Sequence, residues 1–137
     1  RTILDHPAYY PHNLRLFPEL VCRAVVAIGQ ADGGVVVHCG VGRDRTGLIS
    51  ALLLTLAEAP QTVILDGYAA GVRGFNDSLV DYPVAHEPHR DETALENRLR
   101  PRLEALAAFL EATDVAEFLL AAGARPAELN AVRDKVR

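Results

Sequence analysis

The stretch Val35–Gly47 constrains the fold more than any other part of the chain. It opens with an apolar, β-branched run, Val35–Val37, passes through a loop that contains two glycines, and leads into the apolar stretch Leu48–Ala57. This order predicts a strand, a tight loop and a helix that is buried on most sides. A cysteine, Cys39, lies at the C-terminal end of the predicted strand.

A loop of this kind is suited to binding a tetrahedral oxyanion. If the backbone N–H groups from Gly40 to Arg45 point inward above the helix N-terminus, they surround the anion, and the positive end of the helix dipole assists them. Arg45, six residues after Cys39, can donate two parallel hydrogen bonds to phosphate oxygens, which lysine cannot match. The same positive field lowers the pKa of Cys39, so its thiolate becomes a nucleophile directed at phosphorus.

The loop has a specific residue pattern, His38-Cys39-x-x-Gly42-x-x-Arg45-Thr46-Gly47. This pattern resembles the phosphate-binding loop of the cysteine-dependent phosphatases, the protein-tyrosine-phosphatase superfamily. The string 42–47 is most similar to the loop of a bacterial tyrosine-phosphatase family, which usually has lysine where this chain has Arg43. That family is also similar to phosphoinositide phosphatases. The resemblance implies phosphomonoester hydrolysis through a cysteinyl-phosphate, with neither a metal nor another cofactor.

Individual loop residues are predicted to take part in the reaction. Cys39 attacks phosphorus, and Arg45 binds the equatorial oxygens and the charge that develops on them. Thr46 donates a hydrogen bond to the sulfur and eases its departure in the second step, a role compatible with helix capping. His38 bonds to local backbone and holds the cysteine geometry. Substrate contacts are predicted for these residues: Gly40, Val41, Gly42, Arg43 and Arg45.

The proton donor to the leaving group is less constrained, and Asp44 is the candidate within the loop. In many superfamily members this aspartate lies on a separate loop upstream of the cysteine. Phosphoinositide phosphatases of the myotubularin type instead carry an aspartate at the position that matches Asp44, which implies that Asp44 is the acid. The alternative is that Asp44 pairs with Arg43 or orders the loop. Arg43 is a cation beside the pocket and suits multiply charged substrates, although its fork geometry differs from that of lysine.

Composition narrows the class of protein. A chain of 137 residues is a single domain. The net charge is −4 and the chain has no run of basic residues, so nucleic acid is not an expected partner. The apolar stretches are too short to cross a bilayer, and the histidines lack the spacing of metal ligands.

The two cysteines, Cys22 and Cys39, do not form a disulfide framework. A thiolate nucleophile needs a reducing compartment, which predicts a cytoplasmic protein. Cys22 is predicted to be a small buried side chain. The alternative is that it shields Cys39 as a reversible disulfide under oxidation.

The rest of the chain is predicted to be mostly helical, after an irregular segment 1–17. The connection 71–92 is rich in turn residues, and the resemblance implies an active-site lid at 71–96. Pro101 is predicted to kink a helix or to mark its true start. Six helices are predicted. They run from Pro18 to before Asp32, over 46–58, over 61–70, from the end of the connection to Glu111, over 115–122 and over 126–136.

The resemblance implies an α/β fold, with a parallel sheet flanked by helices. This chain would supply mostly the helical C-terminal part and one clear central strand, Val35–Val37. We expect residues 1–137 to form a single phosphatase domain that lacks an N-terminal segment with further strands. Those strands would come from that segment or from a second copy of the chain.

The function predicted from the sequence is that of a protein tyrosine phosphatase or dual-specificity phosphatase, whose partner is a phosphorylated protein. Three alternatives remain open. The chain could be a phosphoinositide or inositol-phosphate phosphatase, or a phosphate-binding pseudophosphatase module. A sulfurtransferase also uses a cysteine loop, but the Arg45-Thr46 pair at this spacing favours phosphate.

Overall fold

In the computed structural model, which describes residues 6–137, the chain is helical. Within these residues the first element is a short 3-10 helix, Pro7–Tyr9, whose N-cap His6 accepts a hydrogen bond from the backbone N–H of Ala8. Seven α-helices follow: α1 (Tyr10–Leu16), α2 (Pro18–Gln30), α3 (Asp44–Leu56), α4 (Gln61–Ser78), α5 (Glu92–Ala112), α6 (Val115–Ala121) and α7 (Pro126–Val136).

The predicted parallel sheet is wrong for the described residues. The segment that contains Val35–Val37 forms no strand, and the β-bridge observed within residues 6–137 joins Val84 to Glu87. The side chain of Val36 is 87% exposed. A strand needs a neighbour for its N–H and C=O groups. Between residues 6 and 137 the other apolar segments are helical and offer none.

Helix α3 lies at the centre of the described residues, in agreement with the burial predicted for the apolar stretch Leu48–Ala57. It packs against α2, α4, α6 and α7. Its buried apolar residues lie around most of the helix: Leu48, Ala51, Leu52, Leu53 and Leu56. The helix that carries the loop is therefore held rigidly from several sides.

Two helices differ from their predicted extent because tertiary packing outweighs local breaker signals. Residues 10–16 were predicted to be irregular, yet they form α1, which buries Tyr10 and Leu14 one turn apart. The first five residues of that predicted irregular segment lie outside the described part of the chain. Helix α4 continues to Ser78 instead of ending near residue 70, because it buries Tyr68 and Val72 against neighbouring helices.

Helix α5 runs through Pro101 without a break. Asp114 is the N-cap of α6, since its side chain accepts from the backbone N–H of Glu117 at 2.9 Å. Pro126 is the first residue of α7, as predicted.

The connection between α4 and α5 is fastened at its two ends. The Asn76 side chain donates to the carbonyl oxygen of Arg90 at 3.0 Å and accepts from the Arg90 N–H at 2.9 Å. Because Asn76 lies on α4 and Arg90 lies two residues before α5, these bonds hold the two helices together at one end of the loop. The lid predicted at 71–96 comprises the end of α4, this connection and the start of α5, and its function stays a prediction.

Among the helices of residues 6–137, none is long and apolar enough to span a membrane.

Candidate active site

The predicted phosphate-binding loop leads directly into the N-terminus of α3. The helix begins at Asp44, two residues before the predicted start at Thr46. Gly42 has a φ of +68°, in the left-handed region that glycine adopts without a steric penalty. The turn therefore depends on glycine at this position, whereas Gly40 has ordinary backbone angles, in line with the sequence pattern.

The sulfur of Cys39 is surrounded by hydrogen-bond donors. Partial burial alone would raise the pKa of this thiol. The nearby Thr46 hydroxyl and the backbone N–H groups of Thr46, Val41 and Gly42 favour the thiolate and outweigh burial, lowering the pKa of Cys39 to about 6. Cys39 is therefore mainly a thiolate at neutral pH.

The side chain of Arg45 reaches back over the same loop. Its Nη2 atom lies 3.8 Å from the position that a Cβ atom on Gly40 would occupy. Arg45 is exposed, and within residues 6–137 it forms no ion pair. A guanidinium in this position can accept an anion held by the loop without first breaking an internal contact.

Thr46 and His38 lie on either side of Cys39 in the chain. The buried hydroxyl of Thr46 has no hydrogen-bond partner within residues 6–137, and its position near the sulfur is one cause of the lowered pKa of Cys39. His38 Nδ1 lies 3.3 Å from the carbonyl oxygen of Cys39, a local backbone contact of the predicted kind. Between residues 6 and 137, neither His38 nor any other histidine belongs to a group of three or more side chains that could hold a metal ion.

Gly47 lets the first turn of α3 pack closely against two tyrosines. A Cβ atom at this position would lie 2.6 Å from the Tyr10 hydroxyl and 3.0 Å from two atoms of the Tyr68 ring. Tyr10 is held on its other side by an edge-to-face contact with Phe109, at 5.4 Å between ring centroids. Gly47, the last residue of the sequence pattern, is therefore needed for the close packing of α3 against these tyrosines.

Arg43 and Asp44 are buried, with 6% and 4% of their surfaces exposed. Arg43 Nε donates to Asp44 Oδ2 at 2.9 Å, and Arg43 Nη1 donates to Glu87 Oε1 at 2.7 Å. The guanidinium also lies over the Phe75 ring, 5.4 Å from its centroid. The structure therefore turns Arg43 inward, away from the substrate contact predicted for it. The predicted alternative, in which Asp44 pairs with Arg43 and orders the loop, agrees with these contacts.

The sequence patterns did not identify the residues that complete this buried cluster. Arg102 Nη1 donates to Asp44 Oδ1 at 3.0 Å and to the Tyr68 hydroxyl at 3.2 Å. A signal for Arg102 was present, because it lies at helical spacing between Leu99 and Leu106 on the buried face of α5. No comparable signal marks Glu87, which lies on an irregular connection.

Cys22 occupies a different part of the molecule. It is 4% exposed, and its Sγ donates to the carbonyl oxygen of Leu119 at 3.7 Å. It lines a cavity of about 460 Å³ that Cys39 does not line. Burial raises the pKa of the Cys22 thiol. These contacts suit a small buried side chain, and the alternative disulfide with Cys39 stays a prediction.

The two thiols should differ sharply in reactivity. Because only the thiolate reacts, iodoacetamide should alkylate Cys39 of the folded chain with a midpoint near pH 6. Cys22 should remain unmodified, since it is buried and its pKa is raised. Mass spectrometry of digests after timed reactions across a pH series measures both rates. A midpoint for Cys39 near that of a free thiol, about 8.5, would contradict the lowered pKa.

Known proteins similar to this chain include phosphatases. The family model described as "Tyrosine phosphatase family" matches residues 7–137. A tyrosine-protein phosphatase from Nostoc commune is 52% identical over 40 residues, a stretch that covers 29% of this chain and 14% of that relative's length. No solved structure matches the chain significantly. Since the family model covers nearly the whole chain, the chain belongs to the tyrosine phosphatase family.

Proposed function

We propose that the chain hydrolyses phosphomonoesters through a cysteinyl-phosphate, with phosphotyrosine in proteins as the substrate. The observation that carries this proposal is the convergence on one loop of three groups: the Cys39 thiolate, the backbone N–H groups of Val41 and Gly42 that favour it, and the guanidinium of Arg45, which forms no ion pair within residues 6–137. Membership of the tyrosine phosphatase family supports phosphatase activity in general.

The chemistry follows from these groups. The Cys39 thiolate attacks phosphorus, the P–O bond of the ester breaks, and the leaving oxygen takes up a proton. Water then attacks the phosphocysteine, which releases inorganic phosphate and restores the thiolate. Arg45 and the loop N–H groups bind the charge on the transferred phosphoryl group. The Thr46 hydroxyl stabilises the sulfur as it leaves in the second step, and His38 holds the cysteine backbone.

The environment of Asp44 favours aryl over alkyl phosphates. Both of its carboxylate oxygens accept hydrogen bonds from guanidinium groups, those of Arg43 and Arg102, which suits a fixed carboxylate better than a proton donor. A tyrosine phenolate, with a pKa of about 10, leaves more easily without a proton donor than the alkoxide of serine or inositol. Phosphotyrosine is therefore the favoured substrate, ahead of phosphoserine and phosphoinositides.

Phosphate release from three substrates tests the proposal. The chain should hydrolyse a phosphotyrosine peptide about 100-fold faster than a phosphoserine peptide or a soluble short-chain phosphoinositide, because the alkyl esters depend more on general acid catalysis. Acid quenching during turnover, followed by mass spectrometry, should find a phosphoryl group on Cys39.

Two results would contradict the proposal. Faster hydrolysis of the phosphoinositide would make the chain a lipid phosphatase. Binding of the phosphotyrosine peptide with no phosphate release would make it a phosphate-binding module without activity.

A further inference from the structure

Asp44 is fixed by side chains from three helices and from its own loop. Arg102 of α5 and Arg43 donate to its two carboxylate oxygens at 3.0 and 2.9 Å. The Tyr68 hydroxyl of α4 lies 3.5 Å from Oδ1. The Tyr10 hydroxyl of α1 donates to the Asp44 backbone carbonyl at 2.8 Å. Backbone and side chain are thus held independently at the residue that directly precedes Arg45.

Arg102 is buried together with Asp44 in this ion pair. It is 4% exposed, and a buried guanidinium is costly unless it is paired and hydrogen-bonded. Its ion pair in the described residues is with Asp44. Arg43, by contrast, also pairs with Glu87, which in turn accepts from Arg98 at 3.0 Å. Arg102 is therefore the cation dedicated to the Asp44 carboxylate.

We propose that Arg102 is a positioning residue of the candidate active site, which holds the Asp44 carboxylate at the turn into α3 and cancels its negative charge in the loop that carries Cys39. The inference rests on the proposed function, since it assigns Arg102 a part in forming the same thiolate. It also assigns Asp44 to loop geometry instead of proton donation.

The consequence for Cys39 is electrostatic. An uncompensated carboxylate near a thiol disfavours the thiolate, and a nearby cation favours it. The charged and titratable groups that face Asp44 come from the loop, α1, α4 and α5: Arg43, Tyr10, Tyr68 and Arg102. Burial is the largest cause of the lowered pKa of His6, at the N-cap of the 3-10 helix. Arg102 lowers this pKa further, and Asp44 opposes that effect.

The test compares the pH profile of Cys39 alkylation by iodoacetamide in four proteins: the natural chain, Arg102→Met, Asp44→Asn and the double variant. Arg102→Met should move the midpoint upward by about one pH unit, and Asp44→Asn should move it downward. The double variant should return it close to the natural value. A merely structural role for Arg102 would not produce shifts of opposite sign that cancel.

A matched control and a conservative variant complete the experiment. Arg73 of α4 forms ion pairs with Glu92 and Glu96 of α5, but its side chain is 39% exposed. Arg73→Met should therefore leave the midpoint unchanged. Arg102→Lys retains the charge and should recover most of the natural profile. Circular dichroism shows whether Arg102→Met folds. If it does not, the inference is tested by the alkylation midpoint of two other variants, which should move downward in Asp44→Asn and return in the folded double variant.

Two outcomes would overturn the inference without removing the proposed phosphatase activity. The first is a natural chain that turns over phosphotyrosine peptide while its variants keep the same alkylation midpoint. The second is an Asp44→Asn variant that loses turnover of alkyl phosphates far more than of p-nitrophenyl phosphate, because that result would make Asp44 the proton donor. Alkylation requires no turnover, so failure of the proposed function would be seen separately.

Discussion

Replacing Cys39 with serine should lower the turnover of a phosphotyrosine peptide by about four orders of magnitude or more. The loss follows from the nucleophile. The natural thiol has a pKa of about 6 and is ionised at neutral pH, whereas a serine hydroxyl remains protonated and attacks phosphorus far more slowly. Phosphate release under single-turnover and steady-state conditions measures the loss.

Binding should survive the same substitution. The donors that would hold the phosphoryl group are backbone N–H groups and Arg45, and Cys39→Ser alters neither. Isothermal titration with the phosphotyrosine peptide should therefore detect an affinity similar to the natural chain's KM. Cys22→Ala is the matched control, because Cys22 is buried on α2 in a separate cavity, and it should retain turnover. Substantial turnover by Cys39→Ser would show that another group is the nucleophile.

The residues that the sequence predicts at the centre of the candidate site are close together in the chain. Cys39 and Thr46 are seven positions apart, and the loop between them enters the N-terminus of a helix. Such a short path leaves few conformations that satisfy the backbone, so the spacing of the residues carries most of the geometry. The nearness of these donors to the Cys39 sulfur follows from this spacing.

The predicted strand failed for a non-local reason. A run such as Val35–Val37 reports only that its residues favour extended backbone. Whether it becomes a strand depends on a neighbouring strand, and residues 6–137 contain none. The pattern of buried helical residues was more informative, since a helix satisfies its own backbone and its apolar face indicates directly where the core lies.

The inward orientation of Arg43 and Asp44 was also beyond local patterns. Asp44 meets Arg102 across 58 positions of the chain, and the contact exists only because α3, α4 and α5 pack together. The sequence indicates this contact only indirectly, through an arginine on the otherwise apolar stripe of α5. A buried charge on a helix face implies a partner of opposite sign elsewhere, although the sequence does not say which carboxylate it is.

The second large effect should come from Arg45→Lys, which we expect to lower kcat/KM for phosphotyrosine peptide by about 10²–10³-fold. Lysine keeps the positive charge but presents a single point of contact, whereas the guanidinium can bind two phosphoryl oxygens in one plane. The loss should lie mainly in kcat, because the planar contact matters most as charge spreads over the equatorial oxygens. Steady-state kinetics separate the two parameters.

The structure also predicts that this loss is not caused by unfolding. Arg45 is exposed and has no ion pair within residues 6–137, so its replacement should change the free energy of unfolding by less than about 0.5 kcal/mol. Arg23→Lys on α2, another exposed arginine, is the control and should alter neither kinetics nor stability. If Arg45→Lys kept the natural kcat/KM, the guanidinium would have no part in binding the transferred group. Its position over Gly40 would then be only a resting contact of a surface side chain.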